Sequence, residues 1–298
     1  MKRILLVLFA CLILWPELSQ SQSFFAIRRE RSLILTAGTG SSTYYGELSN
    51  PGSVIKFQPN FNVGLQAYVS PIISIRTEVN WFVLKGSDTQ ANEEGRKARG
   101  LSFTSSCFEL SATGAVSLYA NGNRYYRRPA INIYAFTGIG ILYFNPKADY
   151  KGKSYALEPL HTEGVSYSRV VPVIPIGLGI RLKVGPNTNL VFEGGYRKTF
   201  TDYLDDVSNK YTAPSSNPIT AYFQNPNNPL YNPSATGTTN NFTAGFKRGN
   251  PNSADSYFLL NAKIEYYLPF SSSKRGSGLI SKRKSNYRYN KRGGMKRR

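Results

Sequence analysis

The stretch Ser256-Tyr257-Phe258-Leu259-Leu260-Asn261-Ala262-Lys263-Ile264-Glu265-Tyr266-Tyr267-Leu268-Pro269-Phe270 decides how the rest of the chain is read. Its even positions Phe258, Leu260, Ala262, Ile264, Tyr266 and Leu268 are apolar, and Asn261, Lys263 and Glu265 fall between them. This is the period of two of a strand with one apolar and one polar face. A face carrying both a Lys and a Glu is costly against a dry sandwich core. It suits the polar lumen of a barrel whose other side meets lipid. The reading then requires an even set of such strands and an export signal.

Seven further stretches alternate in the same way. Residues 72–84 do so most clearly, with Ile73, Ile75, Thr77, Val79, Trp81 and Val83 on one face and Ser74, Arg76, Glu78 and Asn80 on the other. The remaining six are 32–40, 60–69, 101–118, 130–144, 170–184 and 188–200. Pro172 and Pro175 are awkward inside a strand and point to a bulge or a late start near the rim. The connections alternate long and short, beginning with a long one over 41–59. Those over 145–169 and 201–255 read as polar loops, and the last of these is rich in Asn and Pro, so it is expected to hold at most short local structure. The fold class is therefore all-β: an eight-stranded antiparallel transmembrane outer-membrane β-barrel. Short turns would lie on the periplasmic side and long loops outside, with both termini periplasmic. A soluble barrel or sandwich would alternate too, but the lipid-like face of 72–84 and the charges opposite it favour the membrane.

Nine charges are expected to point inward: Arg76, Glu78, Glu109, Arg181, Lys183, Glu193, Arg197, Lys263 and Glu265. Five bases and four acids can nearly neutralise one another. Eight strands leave an interior only just wide enough for side chains, so such a network makes a plug, and an open pore is not expected.

The start of the chain has the layout of an export signal: Lys2 and Arg3, an apolar run over 4–15, then Ser19-Gln20-Ser21 as a cleavage site. Twelve helical residues span roughly 18 Å, short of a hydrocarbon core of about 30 Å. A lipoprotein cleaved before Cys11 is the rival reading. The expected organisation is a signal peptide over 1–21, a barrel over 22–270 and a basic tail over 271–298. With Cys11 gone, Cys107 stands alone, which excludes an internal disulfide, a cysteine-rich metal site and a redox pair.

Of the net charge of +20, eleven units sit after Phe270 without a single acid, among them Lys282, Arg283, Lys284, Arg288, Lys291, Arg292, Lys296, Arg297 and Arg298. Behind an export signal, nucleic acid is not the expected partner. An acidic protein surface, anionic lipid or cell wall is, through attraction that salt weakens. His161 is the one histidine, set in a polar loop with no partnered motif, so no catalytic residue, cofactor site or metal site is assigned. Asp202, Asp205 and Asp206 could offer oxygens to calcium, but without the spacing of a known calcium loop.

Two stretches resemble a known family. Tyr44-Tyr45-Gly46-Glu47-Leu48, and the run from Glu193 through Gly194, Gly195, Tyr196 and Arg197 to Asp202, Asp205, Asp206 and Ser208, are similar to the PorG-like outer-membrane barrels of Bacteroidetes. The similarity covers roughly residues 33–270. The resemblance implies a non-enzymatic component of the type IX protein secretion apparatus, which also serves gliding motility. Its implied partners are the periplasmic ring proteins, a PorK-like lipoprotein and a PorN-like partner. The basic end after Phe270 is not part of that pattern, so its use as a ring contact is a separate expectation. The alternative is a surface-binding, adhesin-like barrel acting through its long loops.

Overall fold

Alternation every second residue, with no proline on the paired faces of most strands, produces eight long strands that close on themselves. The computed structural model describes residues 33–49, 58–122, 125–228 and 244–269. The expected signal peptide, the basic tail with its nine singled-out cations, and residues 229–243 of the last connection lie outside the described residues. The barrel strands are β1 (Leu33–Tyr45), β2 (Gln58–Tyr68), β3 (Ile73–Ser87), β4 (Ser102–Ser117), β5 (Ile131–Tyr143), β8 (Val170–Lys183), β9 (Thr188–Thr199) and β10 (Ser256–Tyr267). A hairpin of β6 (Pro146–Tyr150) and β7 (Lys153–Ala156) stands between β5 and β8.

Neighbouring strands pair antiparallel throughout. The ring closes where β10 meets β1, from Ile34 opposite Tyr267 to Tyr45 opposite Ser256. Closure leaves no unpaired edge, which is the condition for a sheet to sit in hydrocarbon. Among the described residues no helix is long and apolar enough to cross a membrane.

The outward face is the apolar one. Val63, Ile75, Leu110, Ile139, Leu178 and Ile264 all stand exposed on it, Ile139 at 72% and Leu178 at 64%. In water a continuous belt of this kind would drive association; against lipid it is at its lowest free energy. Ladder pairing sets Phe61, Trp81, Phe108 and Tyr143 side by side on four successive strands. Tyr196 and Phe258 pair further round. An aromatic row at the end of the apolar belt marks a headgroup boundary.

Three points differ from the sequence reading. β1 does not stop at Gly40 but continues to Tyr45, because Ser41 to Tyr45 remain paired with β10. β8 runs unbroken through Pro172 and Pro175. The β5 ladder simply lapses between Thr137–Ile176 and Gly140–Val173 and resumes in the same register, so there is no bulge. The stretch 145–169 is not a plain loop: β6 and β7 turn at Lys151 and Gly152, both at positive φ as a tight hairpin needs, and β6 extends the edge of β4 at Thr104 and Ser105.

The Asn- and Pro-rich connection has, where it is described, the short local structure expected of it. It carries a helix, here α2 (Pro218–Gln224), which follows α1 (Glu94–Arg99) in the chain. Asn217 caps α2 by accepting from the Ile219 N–H at 3.0 Å, and Pro218 fills the first turn. Asn227 donates to the carbonyls of Lys97 and Ala98 at 3.1 and 2.9 Å, tying this connection to the end of α1. The polar residues thus serve as caps for backbone groups.

Candidate functional site

Inward-facing side chains fill the barrel in tiers. At the short-turn rim, Arg181 donates to Glu265 at 2.7 Å, and Asn189 donates to the same oxygen at 2.8 Å. The Arg181 guanidinium lies 4.5 Å from the centre of the Tyr134 ring. Arg128 comes up from the β4–β5 connection to donate to Asn189 at 2.6 Å and to the carbonyls of Gly185, Pro186 and Thr188. It thereby seals this end.

The middle tier is a closed square of two cations and two anions. Arg76 grips Glu193 with two parallel bonds of 2.6 and 2.9 Å. Lys263 donates to both oxygens of Glu78, at 2.9 and 2.7 Å, and to Glu193 at 3.1 Å. The Tyr134 hydroxyl adds a donor to Glu193 at 2.7 Å. Above it Glu109 accepts from Tyr257 at 2.6 Å and Asn80 at 3.2 Å, with Arg197 3.6 Å away. A Cβ on Gly195 would lie 2.4 Å from the Arg197 guanidinium. Glycine here lets Arg197 fold back to donate to the Gly195 carbonyl at 2.6 Å.

Eight of the nine charges predicted to face inward are buried in these tiers: Arg76, Glu78, Glu109, Arg181, Glu193, Arg197, Lys263 and Glu265. Lys183 is the exception. It is exposed at the short-turn rim and donates to the Tyr126 carbonyl at 2.8 Å, because β8 ends there. Without Lys183 the lumen holds four bases and four acids, and Arg128 joins them as a further cation, brought in from the β4–β5 connection.

Beyond Glu109 the inward face turns apolar. Phe82, Leu84, Phe103, Cys107, Leu142, Val173 and Leu259 are buried, and they share one core with Leu48, Leu157, Leu204, Val207 and Phe223 from the long connections. With Leu101 from the β3–β4 connection in the same core, the described parts of all four long connections close one cap over the barrel. Its polar ties are specific. Asp88 accepts from Arg99 at 2.7 and 3.0 Å and from Arg96 at 3.2 Å. Arg248 donates to Glu163 at 2.8 Å and to the Asp206 carbonyl at 2.7 Å.

The residues of the two sequence motifs divide. Asp206 accepts from Thr162 at 2.5 Å and Tyr167 at 2.7 Å; burial pushes its carboxyl up to about 6, and Arg248 opposes that rise. Tyr44, Gly46, Glu47 and Asp205 gather elsewhere, with Asp255. Tyr45 is half-buried at the end of β1, and Gly194 and Tyr196 lie on the outward face of β9. Burial pushes the Asp202 carboxyl up to about 7, with Glu47 and Glu163 adding to the rise. Nothing in residue type alone marks Asp88, Arg99, Glu163, Arg248 or Asp255 as structural, since each sits in a polar stretch. His161 is exposed, with Nδ1 3.3 Å from the Val165 carbonyl, in a left-handed turn.

With lumen and cap both filled, purified barrel placed in planar bilayers is expected to give a seal without steady conductance. Persistent open-channel current would overturn the plug.

A closed eight-stranded antiparallel barrel, apolar outside and charged inside, belongs to the class of outer-membrane-type β-barrels. Within that class the chain belongs to the family described as Domain of unknown function (DUF6089), whose model matches residues 22–246. No curated protein matches its sequence. Among solved structures it is similar to Neisserial surface protein A (NspA), at 8% identity and a TM-score of 0.41, covering 80% of this chain and 97% of that one. It is also similar to Ail, the attachment invasion locus protein of Yersinia pestis, at 9% identity and a TM-score of 0.34, covering 78% and 97%. A third is the outer membrane enzyme PagL, at 10% identity and a TM-score of 0.32, covering 79% and 99%. Likenesses this distant do not choose among a surface protein, an attachment protein and an enzyme. The barrel assignment rests on the strand pairing itself.

Proposed function

We propose that this protein is a non-enzymatic outer-membrane anchor, a component of the type IX protein secretion apparatus that positions the periplasmic ring complex. The observation that carries the anchor reading is the filled interior. Among the described residues the barrel interior is filled by three charged tiers and a roof, so what the protein does for the cell is done at its rims. The secretion reading is supported by the resemblance of residues 44–48 and 193–208 to PorG-like barrels. In this reading the short-turn rim faces the periplasm, with both termini, and the eleven cations after Phe270 meet an acidic face of a PorK-like or PorN-like ring protein.

Deleting residues 271–298 is expected to cut co-purification of the ring proteins by roughly tenfold and to make what remains insensitive to salt, as loss of an electrostatic contact should. The barrel should still fold, as heat-modifiable migration on gels would report. Unchanged ring recovery would reject the tail's role.

A second reading, surface binding through the cap, is favoured by the fact that the long connections form a shared core instead of loose loops. Replacing residues 229–243 with a short Gly-Ser linker separates the two. Normal secretion with lost adhesion to surfaces would favour the second reading; lost secretion with normal adhesion would favour the first.

A further inference from the structure

The two stretches that carry the family resemblance meet at one buried point. The turn after β1 brings Glu47, the segment after β9 brings Asp205, and Asp255 stands immediately before β10. Each of these three offers a carboxylate oxygen, and the oxygens all lie within 4.8 Å of one another. Asp205 is 1% exposed and Asp255 0%. A Cβ on Gly46 would sit 1.9 Å from both Asp255 Oδ1 and the Tyr44 hydroxyl, so glycine is required there for the group to close.

Each carboxylate is held in place by a donor. The Asn250 N–H donates to Glu47 Oε1 at 3.1 Å and the Val207 N–H to Asp205 Oδ1 at 3.0 Å. Asp255 accepts from the Tyr44 hydroxyl at 2.7 Å and from the Leu204 N–H at 3.0 Å. The second oxygens of Glu47 and Asp205 are different. Glu47 Oε2 and Asp205 Oδ2 are enclosed without a hydrogen-bond donor. An enclosed acceptor without a donor needs a partner, and among carboxylates crowded this closely a cation is one that satisfies several oxygens at once.

The charge is met only in part, by the attraction of Arg99 for Glu47 and Asp205. Arg99, the cation facing the group, spends its guanidinium on Asp88 and touches Glu47 only through the backbone carbonyl, at 3.4 Å. Burial, and repulsion from the neighbouring carboxylates, hold the Asp205 and Asp255 carboxyls well above the ordinary range. The donors are all oxygen, with no imidazole or thiolate, which selects a hard cation. Calcium binds oxygens at 2.3–2.6 Å, so ligands on opposite sides of it stand up to roughly 5 Å apart, whereas magnesium draws them to about 4 Å.

We propose that Glu47, Asp205 and Asp255 form a calcium site that fastens the turn after β1 and the β9–β10 connection to the start of β10. This is independent of the secretion reading, since it concerns only how the cap is held.

The test uses the full barrel, folded in detergent and stripped with a chelator, titrated with calcium alone and with magnesium alone by calorimetry. One calcium per chain is expected. Glu47→Gln and Asp205→Asn are each expected to weaken binding by at least about tenfold, and Asp149→Asn, an exposed acid on the β6–β7 hairpin, to leave it unchanged. Should Asp205→Asn fail to fold, Glu47→Gln, in an only half-buried turn, carries the same prediction. No binding at millimolar calcium, equal binding by the Glu47 variant, or equal preference for magnesium would overturn the proposal. So would variants that resist unfolding better than the parent and ignore calcium, because the carboxylates would then simply be sharing protons.

Discussion

Replacing Lys263 by Met is expected to lower the stability of the folded barrel by about 3–5 kcal/mol, the usual cost of removing one member of a buried ionic group. Lys263 is the bridge of the middle tier, donating to Glu78 at 2.7 Å and to Glu193 at 3.1 Å while 1% exposed. Without it, Glu78 and Glu193 face each other with Arg76 alone between them. Glu193 keeps its bidentate partner, but Glu78 keeps only a contact of 3.4 Å. One uncompensated carboxylate is then left only 3% exposed, out of reach of bulk solvent. The doubly substituted Lys263→Met, Glu78→Gln chain restores the balance and should recover a good part of the loss, even though it lacks two charges. Urea unfolding in lipid vesicles measures both. A single variant within about 1 kcal/mol of the parent would mean that solvent reaches the tier, and the sealed lumen would then have to be abandoned.

The same tier explains why the barrel was legible in the sequence. Inward charge and outward apolarity alternate residue by residue, so Arg76, Glu78, Glu193, Lys263 and Glu265 announce their direction through nearest neighbours alone. Lys183 obeys the same local rule yet is exposed, because alternation does not say where a strand ends relative to the rim. Arg128 fails the opposite way: it enters the lumen from a connection, which has no alternation to read. The cap was the least legible part. Leu204, Val207, Ile219 and Phe223 are too sparse among Asn and Pro to suggest a core of their own. Their partners are Phe82, Leu84, Phe103 and Leu142, inward residues on distant strands, and only closure of the barrel brings those together. The acidic group beneath the cap shows the same limit. Asp202, Asp205 and Asp206 stand out in the sequence as three acids near a rim, but of these only Asp205 enters the group. Glu47 and Asp255, which join it, lie far away in sequence, and Asp206 turns to Thr162 and Tyr167 instead.

Removing the Arg248 guanidinium is expected to open the cap while leaving the barrel folded. Arg248 is 4% exposed and joins three segments: Glu163 in the β7–β8 connection, the Asp206 carbonyl, and the Phe223 carbonyl at the end of α2, at 3.3 Å. Glu163 in turn accepts from the Ser208 and Asn209 N–H groups at 3.0 and 2.8 Å. An Arg248→Met chain keeps the bulk but leaves the buried Glu163 carboxylate without its cation, held by two backbone N–H groups alone, so the cap should lose about 3 kcal/mol against local opening. Amide exchange over 203–224 should then quicken on the order of a hundredfold or more. The amides of β3, β4, β9 and β10 below Glu109 should not change, because their ladder bonds and the middle tier do not involve Arg248. Arg248→Lys should fall between, since an ammonium keeps the charge but cannot reach Glu163 and two carbonyls in the geometry of a fork. If instead cap and barrel amides quicken together, the cap is no separate unit. The apolar core shared by Phe223 and Leu84 would then be what sets the stability of both, outweighing the polar ties above it.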